Sequence, residues 1–143
     1  MNKYIIDYIN DIGLSSPLQK RVKDIIDFHM NFYSFDIKNI FISDYIKDDG
    51  TKVFENTFLF TNLHIVESIN FIKHDEYKIT KINNIGYTII KRYNYSFDNY
   101  TINSRLNINS LINNEIFEFK ATGVNCKYLK DIYASYFMKY FID

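Results

Sequence analysis

Few side chains in this sequence could carry out chemistry. Three histidines (His29, His64, His74) and one cysteine, Cys126, are the groups best suited to acid–base or nucleophilic work. His29 falls on an apolar helical stripe and reads as a hydrogen-bonded core or interface residue. His64 opens a strand opposite its inward-facing set, and His74 lies in the polar turn His74-Asp75-Glu76. A metal needs three or four converging ligands, and His64 and His74 flank one strand too far apart to supply them. Cys126 stands near a helix start, where a thiol pKa falls. It also begins a stripe that continues through Leu129 and Tyr133, so it reads as a small buried hydrophobe with no His–Asp pair beside it. The carboxylate pairs Asp48-Asp49 and Asp75-Glu76 sit in turns, where acids satisfy backbone donors and water. The four glycines, Gly13, Gly50, Gly86 and Gly123, are isolated, so no phosphate-cradling loop exists. No catalytic residue, metal site or cofactor is assigned.

One constellation stands out. Lys91, Arg92 and Arg105 fall on neighbouring strands, interleaved with Tyr87, Tyr93 and Tyr100. Aromatics among cations can stack on a ligand or hold an anionic group. Lys91, Arg92, Arg105 and Tyr93 are therefore the candidate ligand-binding set. The plainer alternative is cross-strand pairing with Glu115, Glu118 or Asp98 on a solvated sheet face.

The elements that must position these groups follow from composition and period. The chain has 143 residues, 47% of them hydrophobic, with 13 Phe and 13 Tyr, so one packed domain forms without disulfides and disorder is excluded. Basic and acidic side chains balance at 17 each, which argues against nucleic acid as a partner. Asp7 and Asp11 interrupt the apolar N-terminus, so neither a secretory signal nor a membrane span is expected and the cytoplasm is the expected compartment. The 24 Ile, 17 Asn and scarcity of Arg point to an AT-rich bacterial or phage genome.

Ile5, Ile6, Ile9 and Ile12 make the stripe of a short helix that Gly13 stops. A second helix is expected with Ser16 as N-cap, Pro17 at its first position and Gln19 closing a capping box. Its stripe is Leu18, Val22, Ile25, Ile26, His29, Phe32 and Tyr33. From about residue 38 the period changes to two. Seven strands are expected near 38–46, 53–60, 63–71, 77–82, 85–94, 100–109 and 115–121, with turns at Asp48-Asp49-Gly50-Thr51 and Thr61-Asn62. In the third strand Leu63, Ile65, Ile69 and Phe71 share a face. In the sixth, Tyr100, Ile102, Leu106 and Ile108 do. Asn125 is expected to cap a closing helix carrying Cys126, Leu129, Ile132, Tyr133, Tyr136, Phe137, Tyr140 and Phe141, with Val124 stapled onto Leu129.

Seven strands in meander order and one C-terminal amphipathic helix resemble the bacterial pleckstrin-homology-like (PH-like) family. Phe58-Leu59-Phe60-Thr61-Asn62-Leu63-His64-Ile65-Val66 is similar to its strand–turn–strand phrase, with His64 where arginine is usual. The resemblance covers about residues 37–142. It implies an α+β fold, a seven-stranded antiparallel β-barrel or sandwich capped by the C-terminal helix. Two extra N-terminal helices then form an extension over 1–35 ahead of a barrel domain over 36–143. The family implies a non-enzymatic binding module, engaging a protein partner or itself. An anionic lipid headgroup or membrane surface is the alternative, and a small enzyme using Cys126 or a histidine is the third reading.

Overall fold

The computed structural model describes residues 2–70, 72–93 and 101–138. The expected positions Phe71, Asp98, Tyr100, Tyr140 and Phe141 lie outside these. The described residues form an α+β chain: helices α1 (Lys3–Asp11) and α2 (Ser16–Phe32), then strands β1 (Asn39–Ile46), β2 (Lys52–Phe60), β3 (His64–Asn70), β4 (Asp75–Lys81), β5 (Ile85–Tyr93), β6 (Arg105–Ile112) and β7 (Glu115–Thr122), then α3 (Asn125–Ile132), which runs into a π-helical turn, Tyr133–Phe137. The strands make two antiparallel sheets in sequence order, β1-β2-β3-β4 and β5-β6-β7, and neither closes on itself among the described residues. No helix among those residues is long and apolar enough to cross a membrane.

The chain divides into two compact units. The first comprises residues 1–42 and 56–81. In it α1 turns Ile5, Tyr8 and Ile9 inward, Gly13 ends the helix at φ +77°, and Ile6 stays exposed although the stripe included it. Tyr8 ties α1 to β1: its hydroxyl accepts from the Ile42 N–H at 2.7 Å, and its ring lies 6.4 Å from Phe41. Burial on both faces of β1 (Ile40, Phe41, Ile42) matches Phe58, Leu59, Phe60, Ile65 and Val66 on β2 and β3. Leu63, expected inside with Ile65, belongs to the turn and is exposed. Ser15, one residue earlier than expected, is the N-cap of α2, and it makes no side-chain capping bond. The Gln19 side chain instead donates to the Leu14 carbonyl at 3.0 Å.

The second unit comprises residues 43–55 and 82–143. Leu106, Ile108 and Ile112 of β6 and Phe117, Phe119 and Ala121 of β7 face one side. Onto them α3 and the π turn bring Cys126, Leu129, Ile132 and Phe137, with the Phe119 and Phe137 rings 5.6 Å apart. Strand β6 begins at Arg105 rather than near 100, and Ile102 sits exposed in a turn. There the Thr101 N–H donates to Ser104 Oγ at 2.9 Å and the Ser104 N–H to the Thr101 carbonyl at 3.0 Å. Hydroxyl-bearing side chains closing a turn outweigh a short apolar alternation. Asn113 and Asn114, both at positive φ, make the β6–β7 hairpin, a conformation Asn tolerates. Val124, not Asn125, is the N-cap of α3, and it is partly exposed.

Candidate functional site

Three exposed aromatic side chains at the C-terminal end of α2, Phe28, Phe32 and the C-cap residue Tyr33, form a continuous row. Phe28 and Phe32, four residues apart and hence on one helix face, stack with centroids at 5.2 Å and planes at 17°. Tyr33 meets Phe32 edge-on at 4.7 Å and stacks on Phe35 at 5.2 Å, and Phe35 in turn stacks on His64 at 5.3 Å. Phe28 also stacks on Tyr77 of β4, 5.3 Å away. Phe32 is 68% exposed, Tyr33 39% and Phe28 38%. Phe32, expected on the buried stripe, is thus open, and it is joined by Phe28, which lies outside that stripe.

Beneath this row lies His29, fully buried. Its ring stands edge-on to Tyr77 at 4.4 Å and to Phe28 at 5.1 Å, and parallel to Tyr33 at 5.5 Å. The hydrogen bond expected for it is missing, since neither ring nitrogen has a partner. Burial therefore pulls its pKa below the ordinary histidine value, favouring neutral imidazole. Burial, and then the Asp75 charge, push the Tyr77 phenol upward. At the other end of α2, Arg21 donates to Asn70 at 2.7 Å and forms an ion pair with Asp75. Asp75 and Glu76 thus open β4 rather than occupying a turn, and Glu76 is 3.1 Å from His74 Nε2.

The basic constellation is only partly brought together. In the β5–β6 register Lys91 faces Asn107 and Tyr93 faces Arg105, so Lys91, Tyr93 and Arg105 share one sheet face. Arg92 faces Leu106 and therefore points to the other. Arg105 Nη1 donates to the carbonyls of Ile102 and Ser104 at 3.1 and 3.0 Å. Glu118, one of the expected acidic partners, pairs with Lys120 at 3.3 Å, and Glu55 meets the same ammonium at 3.4 Å.

A buried polar cluster escaped the sequence reading. Asp44 of β1 is wholly buried and accepts from the Thr122 N–H at 2.8 Å, the Thr122 hydroxyl at 3.0 Å and the Asn125 amide at 3.2 Å. Lys52 Nζ lies 2.8 Å from Oδ2, the oxygen that also accepts from the Thr122 hydroxyl. The carboxylate thus holds the β7–α3 junction, and Asn125 serves it rather than capping the helix. Beside it, the Cys126 thiol donates to the Ala121 carbonyl at 3.5 Å. Burial, reinforced by the Asp44 charge, pushes this thiol up to about 12, which suits packing and opposes nucleophilic use.

Among the described residues no three His, Cys, Asp or Glu side chains are placed to hold a metal ion. What the arrangement offers chemically is contact: a row of flat rings on α2, and a strand bearing cations on both faces. Comparison with family models, with curated proteins and with solved structures finds no match.

Proposed function

We propose that the chain is a non-enzymatic binding module of PH-like fold, working in a bacterial or phage cytoplasm, that engages a protein partner through the aromatic row of α2. The observation that carries this reading is the exposure of Phe32, Phe28 and Tyr33 side by side. Scattered exposed hydrophobes are ordinary, but contiguous rings mark contact surfaces, where aromatic residues are enriched. Phe32 contributes little to its own core at 68% exposure, so its apolar surface gains most from covering by another molecule.

Anionic lipid headgroups are the second reading, favoured by the shared face of Lys91, Tyr93 and Arg105. Sedimentation with phosphatidylglycerol vesicles separates the two. A protein-binding module stays in the supernatant and captures a stoichiometric protein from its source cell, which Phe32→Glu releases. Pelleting that Lys91→Glu abolishes, with no protein captured, would replace the first reading by the second. A second copy of the chain as partner would appear as a dimer in sedimentation velocity, lost on Phe32→Glu.

A further inference from the structure

Strand β5 ends its sheet, and no strand pairs with its outer edge among the described residues. In an antiparallel ladder backbone groups alternate between the two edges, so about half of the β5 N–H and C=O groups point away from β6. Between Ile85 and Thr88 the register shifts, and from Thr88 to Tyr93 the pairing is regular. That regular segment, Thr88-Ile89-Ile90-Lys91-Arg92-Tyr93, contains no proline, and Ile89 and Ile90 are exposed by 49% and 51% on opposite faces. Lys91 lies on the face of Ile89, Tyr93 and Arg105, and Arg92 on the face of Ile90. Lys91 forms no ion pair among the described residues.

Open edges recruit extended chains, and natural proteins discourage this with charge, lysine above all. Cations on both faces repel a basic strand and admit an acidic one, so the same residues that protect the edge can select its partner. A second copy pairing here brings another Lys91 and Arg92 to the same short ladder, which disfavours self-addition.

We propose that β5 is a strand-addition site for an extended acidic segment of another protein. The incoming backbone pairs with the outer edge of β5. Its carboxylates meet Lys91 on one face and Arg92 on the other, while aliphatic side chains cover Ile89 and Ile90. The proposal rests on the protein-binding reading but on residues separate from the aromatic row.

The test is a titration of the ¹⁵N-labelled full-length chain with a short peptide of alternating Glu and Val, and with its Lys/Val counterpart. The Glu/Val peptide should shift and protect amides of residues 88–93, and Lys91→Glu with Arg92→Glu should weaken it about tenfold and admit the Lys/Val peptide. Both substituted side chains are exposed, and an unchanged melting temperature verifies that the variant folds. Equal binding of the two peptides, or binding unchanged in the variant, overturns the site. Shifts confined to α2 also overturn it while leaving the protein-binding reading intact. Concentration-dependent shifts at β5 without peptide overturn it in favour of a second copy. If neither peptide binds while phosphatidylglycerol vesicles do, both readings fall together.

Discussion

His29 meets Tyr77 edge-on at 4.4 Å with neither imidazole nitrogen hydrogen-bonded, so a titratable ring acts as an apolar strut between α2 and β4. The cross-strand neighbour of Tyr77, Ser68, buries an unpaired hydroxyl as well. Leaving such groups unsatisfied costs stability, and here the cost falls directly under the exposed aromatic row.

The strut makes folding sensitive to acid. Because the folded pKa of His29 is lowered, the unfolded chain takes up a proton that the folded chain resists once pH falls below about 6.5. Stability should therefore decline from that point with a His29 slope of at most about 1.4 kcal/mol per pH unit, and show no His29 slope above it. His29→Leu should remove that component of the slope. Urea midpoints of both proteins between pH 5 and 8, roughly the range of histidine titration, check this. Parallel curves for the two proteins would show that His29 is not the group responsible.

Asp44 is expected to be costly to lose. Asp44→Ala leaves the Thr122 N–H and the Asn125 amide without their acceptor in a buried site. Removing one member of a buried ionic cluster costs about 3–5 kcal/mol, and partial exposure of Lys52 places the expected loss near the lower bound, about 3 kcal/mol. Denaturant unfolding measures it. A loss below about 1 kcal/mol would mean that water takes over these contacts.

The thiol of Cys126 should be silent in the native protein. With a pKa of about 12, only about one part in ten thousand is thiolate at pH 8. Iodoacetamide should label the unfolded chain and spare the folded one. Rapid labelling of the folded chain would return Cys126 to consideration as a reactive group.

Much of the architecture was legible because it rests on local pattern. The alternation in Leu106, Ile108 and their polar neighbours survives in β6, and Gly50 turns the β1–β2 hairpin at φ +87°. Errors arose where side-chain chemistry competes with period, as at Thr101 and Ser104, whose turn absorbs Ile102. The Asn113-Asn114 hairpin carried a readable signal in its two asparagines. The Asp44 cluster carried none, since Thr122 and Asn125 lie 78 and 81 residues further along the chain. For the candidate site, helical spacing gathered His29, Phe32 and Tyr33 onto one stripe. Periodicity could not say that Tyr77 would cover His29 and leave Phe32 in the open, because that depends on where β4 lies.

If the aromatic row of α2 is a protein-contact surface, its most exposed ring lies against the partner, and photo-crosslinking from that position captures it. A benzophenone-bearing phenylalanine analogue replaces Phe32 in one protein and the exposed Ile102 in another, and both are irradiated in the source cell. One discrete protein adduct is expected from position 32 and none of that mass from position 102. Equal or absent protein adducts at the two positions, in chains of unchanged melting temperature, would contradict protein contact through this row.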